Sequence, residues 1–104
     1  MLKVVVAEKI ADEGVEILRQ ELDVDLRFGI KQNELMEIIG DYDALIVRSV
    51  IKVNEELLLR ADKLKVVGRA GVGIDNVTVP ACTRRGILVL NTPESNTISA
   101  AEHT

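Results

Sequence analysis

Two polar side chains at the end of an apolar run are well suited to binding an anion. Arg48 and Ser49 come directly after the run that ends at Val47. A guanidinium at the end of a buried strand can hold a carboxylate or a phosphate through two hydrogen bonds, or it can pair with a neighbouring carboxylate of the protein. Ligands of parallel α/β sheets bind beyond the carboxyl ends of the strands, so we favour anion binding at Arg48 and Ser49.

A second candidate site is the glycine-rich segment at residues 65–77. Its apolar start and the polar pair Asp75 and Asn76 predict a strand to Val67, a tight loop, and a helix that opens at the pair. Glycine lets the backbone approach a ligand, and unpaired N–H groups at a helix start attract carboxylates and phosphates. The same glycines would also permit a tight turn without any ligand, and the local sequence leaves both interpretations open. The glycines concerned are Gly68, Gly71 and Gly73.

This segment does not match a dinucleotide-binding fingerprint. The fingerprint needs glycines in the order G-x-G-x-x-G, whereas here they follow G-x-x-G-x-G, and Asn76 occupies the place of the third glycine after Gly71 and Gly73. The acid expected about 20 residues further on is also missing. We therefore do not expect the loop to bind NAD by itself. Arg69 is predicted to lie in the loop, where it would either add a positive charge to the site or tie the loop to Asp75.

The other residues with reactive side chains are given structural roles. Cys82 is expected to pack as a small apolar residue, since only the dispersed charge of Arg84 and Arg85 would lower its pKa. His103 is the sole histidine. A catalytic histidine needs an orienting acid and a rigid setting, so Glu102 and His103 are interpreted as helix residues. One histidine and one cysteine are too few for a closed metal site, so no metal is expected.

Composition narrows the class of protein. The 104 residues correspond to one domain that buries roughly two-thirds of its unfolded surface. Hydrophobic residues make up 47% and are nearly all aliphatic, which suits the doubly covered strands of a parallel sheet. A net charge of -4, with no basic block and almost no aromatic residues, argues against nucleic acid as a partner. No signal peptide or long apolar segment is recognisable, so a cytoplasmic location without a membrane partner is expected.

The apolar runs predict five strands that alternate with helices. The strands are expected at residues 2–7, 23–28, 43–47, 65–67 and 87–90, and the helices at about 10–22, 32–39, 54–64 and 80–85. This alternation indicates an α/β fold, a flavodoxin-like doubly wound parallel five-stranded sheet with the order 2-1-3-4-5. The second strand alternates polar and apolar residues, which fits an edge position.

The helix ends are predicted from their capping residues. Asn54 should open the third helix, and Pro80 should lie in the first turn of the fourth. Gly40 and Gly86 should end the second and fourth helices. Helical spacing predicts the apolar face of the first helix at Ile10, Gly14, Ile17, Leu18 and Leu22.

The last residues begin an element that the sequence does not complete. Ser95 or Asn96 would cap a helix with its first turns at residues 99–102, and a helix this short needs tertiary support. We therefore expect a domain at residues 1–93, followed at 94–104 by the start of another element. A cut at this point would leave a frayed or repacked tail, or would cause self-association.

Four segments taken together resemble the amino-terminal part of the phosphoglycerate dehydrogenases, within the D-2-hydroxyacid dehydrogenase family. They read LIVRS at 45–49, VVGRAGVGIDNV at 66–77, TRRGILVLNTP at 83–93 and NTISAAEHT at 96–104. The resemblance covers essentially the whole chain. It implies that residues 1–93 form a substrate-binding domain, and that 94–104 are the hinge and the start of a helix crossing into a Rossmann domain. That second domain would hold NAD and the catalytic Arg, Glu and His beyond Thr104.

The resemblance implies that several residues bind a small anionic 2-hydroxy acid. Arg48 and Ser49 would contact the phosphate side of 3-phosphoglycerate. The backbone N–H groups of Val72 and Gly73, adjoining Gly71, would hold its carboxylate.

Other positions match the family less closely. Asn96 would lie near the substrate and the hinge, Val72 would also touch the nicotinamide side of the cofactor, and Arg69 is a weaker match to a binding residue. Ile51 departs from the family, which commonly has Thr before the Lys, so no contact is carried over there. Glu102 and His103 match the crossing helix and not the catalytic pair.

The reaction implied by the resemblance is reversible hydride transfer between NAD and 3-phosphoglycerate, which gives 3-phosphohydroxypyruvate at the entry to serine synthesis. The parent enzyme would be a homo-oligomer, and this fragment would be inactive. Two alternatives stay open. One is another D-2-hydroxyacid dehydrogenase, acting on glyoxylate or hydroxypyruvate. The other is a stand-alone flavodoxin-like module, although Glu8 and Lys9 supply neither the acidic pair of a receiver domain nor the phosphate loop of an FMN carrier.

Overall fold

The computed structural model describes residues 2–10, 12–48, 50–70 and 76–92. The strands are β1 (Lys3–Val6), β2 (Asp23–Leu26), β3 (Ala44–Val47), β4 (Val66–Ala70) and β5 (Leu88–Thr92). The helices are α1 (Asp12–Glu21), α2 (Gln32–Ile38), α3 (Glu55–Arg60) and α4 (Val79–Arg84), and a single 3-10 turn at Ile39–Asp41 follows α2.

The five strands form one parallel sheet in the order β2-β1-β3-β4-β5. The chain therefore leaves β1 toward β2 on one side and returns to pair β3 with the other side of β1. Because such crossovers are right-handed, this reversal puts α1 and α2 on opposite faces of the sheet. The topology confirms the predicted flavodoxin-like doubly wound fold and the edge position of the second strand.

The main core lies on the face that carries α2, α3 and α4. Side chains alternate along a strand, so Val5, Leu45 and Val67 point to this face, where they are fully buried against residues such as Leu57 of α3 and Cys82 of α4. Burying a side chain of this size contributes about 1.5 to 3 kcal/mol of hydrophobic stabilisation. The core therefore holds the carboxyl ends of β1, β3 and β4 at one level, where the candidate site lies.

The opposite face of the sheet is covered unevenly. Val4 and Val6 of β1 are fully buried there, and Val15 is buried on α1, which packs along β2. On β5 the same face carries Leu88 and Leu90, which are 57% and 44% exposed. This face is thus well packed near β1 and open near β5.

Most of the predicted helix ends are confirmed. The Asn54 side chain accepts a hydrogen bond from the N–H of Leu57 at 3.0 Å and so caps α3. Pro80 lies in the first turn of α4, where its missing N–H costs little. Gly86 follows that helix with a φ of 75°, a conformation that glycine adopts without strain.

Three details of the predicted helices are wrong. Gly40 does not end α2, because it lies inside the 3-10 turn that prolongs the helix. Ile17 is 60% exposed, and the buried position of α1 is Val15. The third helix ends at Arg60. The buried residues Ala61 and Leu64, which were assigned to it, therefore pack from the segment that follows.

A polar cluster ties β1 and β2 to the start of β3. The hydroxyl of Tyr42, itself 5% exposed, donates a hydrogen bond to Oδ2 of Asp25, and Nε of Arg27 donates to the same oxygen at 3.1 Å. The ammonium of Lys3 lies 5.3 Å from the centre of the Tyr42 ring. The Tyr42 hydrogen bond, with smaller help from Arg27, lowers the pKa of Asp25 below its usual value.

Candidate functional site

The candidate site lies where the chain reverses direction, beyond the carboxyl ends of β1 and β3. In open α/β sheets this switch point forms a crevice, and ligands bind in it. Val6 of β1 pairs with Ile46 of β3. Glu8 and Arg48, each two residues further along, therefore leave the sheet side by side. We call residues 48–52 the β3 loop; of these, Ser49 lies outside the described residues.

The carboxylate of Glu8 organises the backbone of the β3 loop. Its Oε2 accepts hydrogen bonds from the N–H of Arg48 at 2.9 Å and of Ile51 at 3.0 Å, and its Oε1 accepts one from the N–H of Val50 at 3.0 Å. Hydrogen bonds to an ionised acceptor are roughly twice as strong as neutral ones. Glu8 thus supplies the hydrogen-bond acceptors that these loop amides need.

Asn76 ties the same loop to the end of β4. Its amide nitrogen donates to the carbonyl oxygens of Arg48 at 2.8 Å and Ile51 at 2.7 Å, and its Oδ1 accepts from Nε of Arg69 at 2.8 Å. The residue is 7% exposed. A buried amide of this kind is stable only when its groups are paired, so these bonds specify one arrangement of the three segments.

A third side chain holds the far end of the β3 loop. Gln32, the first residue of α2, donates to the carbonyl oxygen of Lys52 and accepts from its N–H, both at 2.8 Å. The next residue, Val53, forms a parallel bridge with Val77. The loop is therefore held from β1, from α2 and from the segment that follows β4.

The side chain of Arg48 is exposed above this framework. Its Nη1 lies 3.4 Å from the carbonyl oxygen of Lys9, a long hydrogen bond, while its backbone is held by Glu8 and Asn76. The position combines a fixed backbone with an accessible guanidinium. Such a group can form paired hydrogen bonds with a carboxylate or a phosphate.

The predicted placement of Arg69 and Asn76 is wrong. Arg69 does not lie in a loop but in β4, which continues to Ala70 because Arg69 pairs with Asn91 and Ala70 with Thr92 of β5. Asn76 does not open a helix, because α4 begins at Val79 after the bridge at Val77. Nε of Arg69 bonds Asn76, so this guanidinium is engaged in holding the framework.

Several predicted site residues lie outside the described part of the chain. This applies to Ser49, to the substrate-binding and cofactor-binding positions Gly71, Val72 and Gly73, and to Asn96. The predicted contact between Arg69 and Asp75 and the predicted cradle or turn at the glycines fall there as well. These assignments stay predictions.

The described residues offer little other chemistry. Cys82 is fully buried. Burial raises the pKa of its thiol, and the nearby charge of Arg85 offsets this only in part, so the thiolate is disfavoured. Within the described ranges, no group of three His, Cys, Asp or Glu side chains is placed to hold a metal ion. The helices that the structure describes are all too short or too polar to cross a membrane.

Glu8, Gln32 and Asn76 were not predicted as a set that builds the site. In the sequence, Glu8 only argues against a receiver domain or an FMN carrier, and Gln32 only marks the start of a helix. The sequence did contain one signal. An acid that directly follows a buried first strand lies at the switch point of a doubly wound sheet, where its charge needs a partner.

The fold and this site define the chain as a doubly wound α/β domain with a polar site at the switch point of its sheet. Residues 4–104 match the model of the D-isomer specific 2-hydroxyacid dehydrogenase catalytic domain. The chain belongs to this family, which is NAD-dependent. The match extends over nearly all of the sequence and agrees with the flavodoxin-like sheet.

Two curated relatives carry the name of one branch of the family. The chain is 48% identical to D-3-phosphoglycerate dehydrogenase of Synechocystis over 103 residues, which are 99% of the chain and 19% of the relative. It is 46% identical to the enzyme of the same name from Archaeoglobus fulgidus, covering 98% of the chain and 20% of the relative. The chain thus spans about a fifth of the length of these curated relatives.

Solved structures show the same fold. A protein of Pyrococcus horikoshii superimposes with a TM-score of 0.85 at 33% identity, over 100% of this chain and 31% of that one. NAD+-bound 3-phosphoglycerate dehydrogenase of Entamoeba histolytica superimposes with a TM-score of 0.73, also at 33% identity, over 98% of this chain and 36% of that one.

The described residues do not fit an NAD site. A dinucleotide needs a glycine-rich turn after the first strand, with open N–H groups for its pyrophosphate. Here β1 is followed by Ala7, Glu8 and Lys9, and the N–H groups of Arg48, Val50 and Ile51 in the neighbouring β3 loop already donate to Glu8. A carboxylate at this point would repel a pyrophosphate. We therefore assign no step of hydride transfer to the described residues.

Proposed function

We propose that this chain supplies the substrate-binding domain of an NAD-dependent phosphoglycerate dehydrogenase, which converts 3-phosphoglycerate to 3-phosphohydroxypyruvate in serine biosynthesis. The domain would be residues 1–93, and residues 94–104 would lead into an NAD-binding domain. The family match and the names of the relatives support the reaction class. The parent would be a cytoplasmic homo-oligomer.

One observation carries the proposal for this chain itself. Arg48 presents an exposed guanidinium at the switch point, while its backbone is fixed by Glu8 and Asn76. A cation held at this place can bind the distal anionic group of a 2-hydroxy acid and exclude substrates that lack one. It does not by itself distinguish a phosphate from a carboxylate.

The isolated chain would bind substrate weakly and catalyse nothing. A surface that offers part of a site recovers about 4 kcal/mol, which corresponds to a dissociation constant on the order of millimolar. The catalytic Arg, Glu and His of the family would lie beyond Thr104. We expect no formation of NADH when the chain is mixed with NAD and 3-phosphoglycerate.

A proton–nitrogen NMR titration of the chain with 3-phosphoglycerate tests the proposal. The expected result is a set of selective shifts at Arg48 and its neighbours, with D-lactate causing none because it lacks a second anionic group. In Arg48→Gln these shifts should weaken at least fivefold. The matched control Arg60→Gln removes an exposed guanidinium of α3 and should bind as the wild type does.

The titration also distinguishes the alternatives. Equal shifts with D-lactate and 3-phosphoglycerate, or unchanged binding in Arg48→Gln, would refute the assigned role of Arg48. Stronger shifts with hydroxypyruvate or glyoxylate than with 3-phosphoglycerate would favour another D-2-hydroxyacid dehydrogenase.

A further inference from the structure

Three N–H groups of the β3 loop converge on one anionic group that the protein itself supplies. Those of Arg48, Val50 and Ile51 converge on the two oxygens of Glu8 at 2.9 to 3.0 Å. Backbone N–H groups that converge on one point bind phosphates and other anions in many proteins. Here the anion is a side chain, so these amides are not available to a substrate.

The same short segment also reaches the side chain of Arg48. The carbonyl oxygen of Lys9, the residue after Glu8, lies 3.4 Å from Nη1 of Arg48. Residues 8 and 9 thus contact both the backbone and the guanidinium of Arg48. A movement of Glu8 would change the position of the charge that faces a ligand.

Little of the described part of the β3 loop is buried, which limits what Glu8 can contribute to stability. Val50 is 73% exposed and Arg48 is exposed, whereas Ile51 alone of these three packs in the core. Ordering exposed residues costs conformational entropy and gains little apolar burial. The effect of the carboxylate therefore falls mainly on the geometry of the loop.

We propose that Glu8 is a positioning residue for the substrate, which acts by fixing the loop that carries Arg48. The proposal rests on the proposed function, in which Arg48 binds the distal anionic group. Glu8 itself need not touch the ligand. Its negative charge would repel an anionic ligand, so the charge role and the positioning role predict opposite changes in affinity when the charge is removed.

Two effects of removing the charge of Glu8 have opposite directions. If Glu8 only contributed its charge, Glu8→Gln would bind 3-phosphoglycerate more tightly, because a repulsion would be relieved. If Glu8 positions Arg48, Glu8→Gln would bind more weakly, because the amide oxygen can replace one carboxylate oxygen but its NH2 group meets a loop N–H. We expect at least fivefold weaker binding in Glu8→Gln and a larger loss in Glu8→Ala.

The experiment uses the whole chain and the same NMR titration, with amide hydrogen exchange recorded for each variant. In Glu8→Gln the amides of Arg48, Val50 and Ile51 should exchange at least tenfold faster, while the core strand amides keep their protection. Glu16→Gln, which removes an exposed carboxylate of α1, is the matched control and should behave as the wild type. Formate added to Glu8→Ala should partly restore both the slow exchange and the binding.

Each outcome decides one of the two proposals. Weaker binding in Glu8→Gln with intact core protection supports the positioning role, and formate rescue separates it from general unfolding. Equal or tighter binding in Glu8→Gln overturns it. If the wild type shows no selective shifts, the proposed function fails for this chain. If amide exchange is also unchanged in Glu8→Gln, Glu8 does not fix the backbone of the loop, and the positioning role fails as well.

Discussion

Replacing Asn76 by alanine should cost this domain a large part of its stability. The substitution removes the donor that bonds the carbonyl oxygens of Arg48 and Ile51 and the acceptor that bonds Nε of Arg69. The bond to Ile51 is buried, and leaving that carbonyl without a partner costs about 2 kcal/mol. The other two groups are partly buried and can regain water, so each loss costs about 0.5 to 1 kcal/mol.

The expected decrease in the free energy of unfolding is therefore about 3 to 4 kcal/mol. Domains of this size have about 5 to 15 kcal/mol in total, and the melting temperature should fall by at least about 10 °C. The assay is urea denaturation followed by far-ultraviolet circular dichroism, because the chain has no tryptophan and only one tyrosine. An unchanged m-value would show that the variant unfolds from a similarly compact state.

Two further variants define the result. Asn33→Ala, at an exposed position of α2, should change the free energy of unfolding by less than about 0.5 kcal/mol. Asn76→Asp keeps an acceptor for Arg69 but turns a carboxylate toward two carbonyl oxygens, so it should destabilise at least as much as alanine. A decrease in the free energy of unfolding of less than about 1 kcal/mol in Asn76→Ala would refute the view that the Asn76 amide stabilises the site.

Two other predictions follow from the polar cluster and the buried thiol. Tyr42→Phe removes the hydroxyl bonded to Asp25 and should lower the free energy of unfolding at neutral pH by about 1 to 2 kcal/mol. Because the pKa of Asp25 is lowered by folding, this stabilisation is present above the unfolded value of 3.8 and is lost as the pH falls through the lower folded pKa. Urea denaturation of the wild type and of Tyr42→Phe at pH 7 and near pH 2.5 should show that their difference in free energy of unfolding is smaller at the lower pH. An equal difference at both pH values would contradict the charge-assisted bond. Cys82 should react with a thiol reagent at least 100-fold more slowly in the native chain than in urea, because burial shields the thiol and raises its pKa. Rates within tenfold of each other would show that the thiol is accessible.

The topology of the sheet was predictable from the sequence. Apolar runs at the spacing of an alternating α/β chain, with Asp23 and Asp25 marking a half-exposed strand, lead to the order 2-1-3-4-5 that the structure has. Local signals also located Asn54 and Gly86, because caps and positive φ angles depend on few neighbours. The prediction for Ile17 was wrong because helical spacing in α1 fits two adjacent apolar faces, one with Ile17 and one with Val15. Only packing against the sheet selects the face with Val15.

The framework of the site was less predictable, because it depends on contacts distant in sequence. Arg69 and Ala70 have no strong strand propensity, and they are in β4 because β5 pairs with them. Gly68 also lies inside β4 and not in a loop. Its lack of a side chain matters there because a Cβ would come within 2.9 Å of Cδ1 of Ile46. Asn76 resembles a helix cap locally, yet its buried amide bonds two carbonyl oxygens of the β3 loop, 25 and 28 residues away in sequence. The exposed position of Arg48 at the switch point was predictable, because its place directly after a buried strand is itself a local signal.

The described residues of the β3 loop are held by bonds between residues distant in sequence, so this part of the loop can form only after β1, α2 and the segment after β4 have come together. The bonds that hold it join residues 20 positions apart for Gln32 and Lys52, 25 for Asn76 and Ile51, and up to 43 for Glu8 and Ile51. Closing such separations costs chain entropy before any bond is gained. A partly folded chain, with β1 or the segment after β4 undocked, would therefore retain helices but present no ordered guanidinium. Ligand binding at Arg48 would report complete folding of the domain, and an unfolding intermediate would lose affinity before it lost secondary structure.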